Sequence, residues 1–273
     1  MKNKITFVAL FISSVAFAQE KKESDTTRFN MGEVEVILID HSKDKKSGTE
    51  EKDTLTYVTG KVKKFGRKEA HWAGVDFGFR TMLNANFTPD FENNVFLENN
   101  IAQSMVWNIN FLERKFPIIQ HHLGFTTGLG FSFTQFAFNN NYIINTTGPT
   151  ITAAVDPIYT YSKNKLNATY LTLPLMLEFC GNNYEDEGFY FAAGIVGGVK
   201  IYSRIHREGS FDGKTFDESA KGDYEINPFI LNSAVRIGYK GLGLFVDYSL
   251  LSYFKANKTD SVHPLTFGVS LNF

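Results

Sequence analysis

Five charged residues, Asp76, Arg80, Glu178, Arg236 and Asp247, are the ones whose types and spacing could do chemistry together, because strand periodicity turns all five toward one interior. Acids and bases enclosed in this way can neutralise one another in a hydrogen-bonded plug, or relay a proton or ion. Catalysis would need a nucleophile within reach of a base. The histidines do not supply one: His121 and His122 begin a strand, His206 and His263 fall in connections, and no serine motif pairs with any of them. Nor is there zinc-ligand spacing, an Asp-rich calcium loop or a phosphate-binding loop, since Gly194 and Gly197-Gly198 lie inside a strand pattern with no helix following. No cofactor or metal is expected, and the chain is not expected to be an enzyme. Cys180 is the only cysteine, so it makes no internal disulfide, and it lies too far from the N-terminus for lipoprotein acylation.

The elements that would hold those charges are strands. A net charge of -1 over 273 residues removes any broad electrostatic basis for binding nucleic acid. The 27 Phe, 12 Tyr and 22 Gly, against 2 Trp and 7 Pro, favour β structure. The clearest segment sets Leu123, Phe125, Thr127, Leu129, Phe131 and Phe133 on one face and His122, Gly124, Thr126, Gly128, Gly130 and Ser132 on the other. The small or polar face has no large apolar residue to hide, so the large residues are read as facing lipid.

Seven further segments repeat this period of two: 72–80, 103–112, 170–179, 189–200, 229–239, 242–254 and 264–273. Each has at least the ~9 residues a tilted strand needs to cross a bilayer. Long links (81–102, 134–169, 201–228, 255–263) alternate with short ones (113–118, 181–188, 240–241), as in bacterial barrels with short periplasmic turns and long outer loops. The fold class follows: all-β, a closed antiparallel transmembrane β-barrel of about eight strands, with a short N-terminal periplasmic arm. Eight strands leave a lumen filled by side chains. Pro174 cannot donate to a ladder in a barrel without edges, which predicts a bulge. Trp107, Tyr170, Tyr202, Tyr239 and Tyr253 stand near strand ends, suited to interfacial girdles or to ordinary strand packing.

Residues 1–18 read as a cleaved signal peptide: Lys2 and Lys4, an apolar run over 5–15, then Ala16-Phe17-Ala18. Fourteen of the thirty residues 41–70 are charged, so residues 19–70 are read as a mobile periplasmic arm, in which 31–40 could form one strand with no obvious partner. The barrel is assigned to 71–273, in the outer membrane of a Gram-negative cell.

The barrel region resembles the bacterial outer-membrane barrels called PorT-like. The resemblance rests on His71-Trp72-Ala73-Gly74, Gly128-Leu129-Gly130, Tyr170-Leu171-Thr172-Leu173-Pro174-Leu175 and Asn227-Pro228-Phe229. The last segment, with Phe267, Val269, Leu271 and Phe273, looks like the signal by which the barrel assembly machinery recognises its substrates. The resemblance implies location and fold more than activity. The expected role is structural or binding, through outer loops and the arm, with two alternatives: a component of a protein secretion assembly, or a lipid-modifying barrel enzyme. Expected partners are outer-membrane lipid, the assembly machinery and other envelope or secretion proteins.

Overall fold

The computed structural model describes residues 70–273 except 93, 120–121, 140 and 182–187, together with the backbone of 26–31 and 34–39. The proposed signal peptide and most of the proposed arm lie outside the described residues. The chain divides into two units, Met1–Gly66 and Arg67–Phe273.

In the first unit, β1 (Thr26–Met31) pairs antiparallel with β2 (Val34–Ile39), Met31 opposite Val34. The segment expected to lack a partner therefore has one immediately before it. Only two residues, Gly32 and Glu33, separate the strands, so the partner is local.

The second unit contains β3 (Gly74–Leu83), β4 (Met105–Ile119), β5 (Leu123–Ala137), β6 (Tyr142–Asn145), β7 (Thr152–Val155), β8 (Thr160–Cys180), β9 (Phe189–Phe211), β10 (Lys214–Lys221), β11 (Phe229–Tyr239), β12 (Leu242–Ser249) and β13 (His263–Asn272). Eight of these form a ring, β9-β11-β12-β13-β3-β4-β5-β8, which closes by β8 pairing with β9. Every pairing in it is antiparallel. Closure leaves the ring no free edge, the condition for crossing hydrocarbon with strands.

The side chains face as the period of two requires. Along β8, Leu171, Leu173, Leu175, Leu177 and Phe179 are exposed, while Thr172, Met176 and Glu178 are buried; Leu177 is 52% exposed and its neighbour Glu178 only 1%. The same inversion recurs on β12, where Leu244 and Val246 point out and Phe245 points in. Such a band of exposed large apolar side chains is untenable in water and suited to lipid.

Several strands outrun their expected limits. β4 continues to Ile119 through a bulge at Leu112 (φ 50°), so the expected turn at 113–118 is strand. β8 begins at Thr160 and β9 ends at Phe211, so much of the two longest expected loops is strand as well. β10 pairs with β9 over Lys221↔Arg204 to Lys214↔Phe211, occupying beside the upper half of β9 the place β11 holds beside the lower half. The short hairpin β6–β7 occupies the same region of the chain's longest connection.

Two expectations are corrected. Pro174 causes no bulge: the register is the same on both sides of it, Thr127↔Leu175 and Gly130↔Thr172, and Pro174 lies opposite Val196. The β5–β8 ladder skips two pairs there, Gly128 with Pro174 and Leu129 with Leu173, and the Trp72 indole donates to the Leu129 carbonyl (3.1 Å), giving one of the carbonyls in that gap a partner. Tyr170 and Tyr253 are not girdle residues. Both are buried, because Tyr170 shares the inward row of Thr172 and Met176, and Tyr253 packs with it in the apolar cluster at the long-loop end.

That cluster, with Met82, Leu97, Phe136, Leu166, Ile226 and Phe254 among its members, fills the long-loop end of the barrel. The middle of the lumen is polar.

Candidate functional site

The polar middle is built on Asp76 of β3 and Arg236 of β11, which are 0% and 2% exposed. Arg236 Nη1 donates to Asp76 Oδ1 at 3.1 Å and Nη2 to Oδ2 at 2.5 Å. Asn108 and Asn110, successive inward residues of β4, donate to the same Oδ2 at 3.0 and 2.9 Å. The guanidinium also lies 4.6 Å from the Trp72 ring centroid and 5.5 Å from that of Phe245. A charge pair in so dry a place is sustained by its extra hydrogen bonds, and removing one partner strands the other.

Arg80 and Asp247 lie one step toward the long-loop end. Thr266 stands between them in the sheet, paired with Asp247 on one side and Arg80 on the other, and accepts from Arg80 Nε at 3.1 Å. No carboxylate lies within 4 Å of Arg80 among the described residues. One Asp247 oxygen is enclosed without a hydrogen-bond partner. A cavity of about 20 Å³ beside these residues, lined also by Asn232 and Trp72, is about the room one water needs.

Glu178 is not part of this network. It sits at the short-turn end of β8 and takes Lys115 Nζ at 3.2 Å, Thr126 Oγ1 at 2.8 Å and the His71 backbone N–H at 3.2 Å, with His71 Nδ1 2.8 Å from its other face. Lys115 also donates to Cys180 Sγ at 2.8 Å. The His71 ring stacks on Tyr190 at 4.0 Å. Four of the five expected lumen charges thus share one region, and the fifth has its own partners. Lys115 and His71 went unrecognised in the sequence for different reasons. The bulge at Leu112 switches the inward parity of β4 from even to odd, which turns Lys115 inside, and His71 precedes the first strand. Tyr190, fully buried on β9, stands at the centre of this end.

Trp72 ties the two groups together. Its ring occupies the space above Gly128, where a Cβ would come within 2.6 Å of the indole and 2.5 Å of the Leu112 carbonyl. Only glycine admits that approach.

Two triads have metal-ligand atoms close together, His71-Glu178-Cys180 and His206-Glu208-Asp217. In the first the Lys115 ammonium already sits between Glu178 and Cys180. In the second, Glu208 is engaged by Lys163 at 2.8 Å and His206 at 2.8 Å, contacts that hold its carboxyl below the usual range. In both sets the ligand atoms already engage one another or a lysine.

The long-loop end carries its own polar bracing. The Tyr161 hydroxyl donates to Asp156 Oδ2 at 2.6 Å, which holds the Asp156 carboxyl down, while burial and that carboxylate push the Tyr161 phenol up to about 12. Asp223 and Glu225 bind Lys200, Lys255 and Lys258, clamping two connections over the barrel mouth. At the opposite end, Phe267, Val269, Leu271 and Phe273 form the outward row of the closing strand, Phe273 being 85% exposed.

Residues 73–255 match the family described as outer membrane protein beta-barrel domain. The chain belongs to that family. No curated protein matches this outer-membrane barrel. Among solved structures it is similar to Ail, the attachment invasion locus protein of Yersinia pestis, at 12% identity and a TM-score of 0.29, over 74% of this chain and 99% of Ail. The same protein in complex with the heparin analogue sucrose octasulfate aligns at 9% identity and a TM-score of 0.28, over 73% and 96%.

Proposed function

We propose that this outer-membrane barrel conducts nothing and catalyses nothing, and that its work is done by the strands it raises beyond the bilayer, as a structural or binding surface on the outside of the cell. The observation that carries this reading is the filling of the lumen among the described residues: an apolar plug at the long-loop end, a paired and hydrogen-bonded middle, and cavities of about 20 and 10 Å³ between them. Among the described residues no serine hydroxyl is hydrogen-bonded to a histidine ring, the arrangement a barrel hydrolase would use. By contrast β8, β9 and β10 extend well past the apolar band, more than a barrel needs merely to close.

The finer assignment to the PorT-like group rests on the motif residues acting as one packed unit: Trp72 meets Gly128, the Leu129 carbonyl and, through Arg236, the lumen network.

The test is conductance across a planar bilayer, paired with protease treatment of intact cells. The purified protein is expected to give no unitary conductance steps, and cells are expected to be cut between β9 and β10. Stable channels of porin size, or a hairpin protected in intact cells, would sink the reading.

A further inference from the structure

The outward face of β5, β8, β9 and β10 changes character in rows, each set by strand pairing. Phe131, Leu171, Val199 and Phe229 form an apolar row; Phe133, Thr169 and Tyr202 the next; then Gln135, Asn167, Arg204 and Lys221; then Lys165 opposite His206; and last Lys163, Glu208 and Asp217. Two residues advance a strand by roughly 6.6 Å, or roughly 5 Å along the bilayer normal at a barrel tilt of about 40°. With the Phe133, Thr169 and Tyr202 row at the edge of the hydrocarbon, the Arg204 row stands roughly 5 Å outside it. That is the depth of the headgroups, a layer roughly 5–7 Å thick outside the hydrocarbon.

At that depth the charge is of one sign. Arg204 and Lys221 are directly opposite on β9 and β10, both exposed, and like charges so placed repel. Lys165, one row further out, spends its ammonium on the neutral Gln135 oxygen at 3.1 Å. The Lys221 ammonium lies 5.6 Å from the Tyr202 ring centroid. Among the described residues no carboxylate comes within 4 Å of any of the three cations, and the acids of the outermost row are engaged by Lys163 and His206. Elsewhere on this end the lysines that face one another, Lys200 and Lys255, have Asp223 between them. Among the described residues the patch at Arg204 has cations, amide groups and an aromatic ring at the membrane surface, and no anion.

We propose that Lys165, Arg204 and Lys221 bind the phosphate of an outer-leaflet lipid headgroup, with Asn167 and Gln135 as hydrogen-bonding neighbours and the acyl chains lying on the apolar rows below. The planar guanidinium suits a phosphate's paired oxygens, and the two ammonium groups supply point charge. The apolar rows beneath make the occupant a lipid rather than a free anion.

The test uses the full chain in detergent micelles and measures bound lipid by native mass spectrometry, with a diphosphorylated glycolipid, its dephosphorylated counterpart and inorganic phosphate as probes. Wild type is expected to retain the phosphorylated glycolipid over the dephosphorylated one. Each cation near a charged surface is worth about fivefold, so the triple variant Lys165→Gln/Arg204→Gln/Lys221→Gln should bind roughly 100-fold more weakly. Lys163→Gln, which removes an already paired cation, should change binding by less than about threefold. Heat-modifiable migration checks that each variant is folded; if the triple variant is not, the single variants Arg204→Gln and Lys221→Gln should each lose about fivefold. Equal binding by wild type and variants, or equal retention of the dephosphorylated lipid, overturns the site. Full displacement of the lipid by equimolar inorganic phosphate overturns its assignment to a lipid.

Discussion

Arg236 and Asp76, 160 residues apart in sequence and three strands apart around the ring, meet as a two-bond ion pair in the middle of the lumen. The pair fixes more than charge balance. Asp76 gathers two asparagines from β4 and Arg236 lies between Trp72 and Phe245, so the two side chains join four of the eight ring strands, β3, β4, β11 and β12.

Arg236→Ala should therefore leave a buried carboxylate held only by two amides, a loss of about 3–5 kcal/mol. Urea titration of the folded band in micelles measures it. The double variant Arg236→Met/Asp76→Asn should recover at least half of that loss, because neither charge is left alone; a double variant as unstable as the single would mean that packing, not the stranded charge, sets the cost.

The two tryptophans report opposite sides of the wall. Trp107 is 46% exposed on the outward row of β4, and Trp72 is 3% exposed in the lumen. In vesicles of brominated lipid, Trp107→Phe should abolish most fluorescence quenching and Trp72→Phe should leave it nearly intact. Quenching carried by Trp72 would reverse the assignment of inside and outside.

The lipid-crossing part of each strand was legible because two solvents, hydrocarbon outside and a polar lumen inside, print a strong alternation on the sequence. The ends of the strands were not. Above Tyr170 the contrast inverts: Lys163, Lys165 and Asn167 face outward, and Leu166 and Ala168 fill the apolar plug. A search for large residues pointing out stops where the outside becomes headgroup and water. One signal was there to be read: Asp212-Gly213 is the dipeptide of a tight hairpin, and it joins β9 to β10. Lys115, the partner that holds Glu178 apart from the other charges, was hidden by the bulge at Leu112, which changes parity without any glycine or proline to announce it.

The clamp over the mouth should be pH-dependent. Partial burial works against the Asp223 carboxylate, but hydrogen bonds from Lys200 and Lys255 outweigh it and hold the carboxyl below its ordinary 3.8. Lys255, then Lys258, holds Glu225 below its ordinary 4.5. Folded-state values lower than unfolded ones mean that the stabilisation is fully present above the ordinary carboxylate range and disappears as pH falls through the lowered values. Lys255→Gln should thus lower the thermal midpoint at pH 7 and lower it by less at pH 2.5. An equal effect at both would assign Lys255 a packing role.

Asp212 and Gly213 both have positive φ, 49° and 73°, as a two-residue hairpin turn of this hand requires. Around Gly213 a Cβ would meet nothing within 4 Å, so a larger residue there is opposed by backbone conformation and not by a clash. Gly213→Val should cost about 1–2 kcal/mol and loosen only the tip, since β10 pairs with the upper part of β9 and the lower part has β11 beside it. The expected result is faster proteolysis between β9 and β10 with the urea midpoint of the barrel unchanged. A lowered midpoint would instead make the raised hairpin part of the barrel's cooperative unit, in which strain at the tip is transmitted along β9 to the membrane-spanning wall.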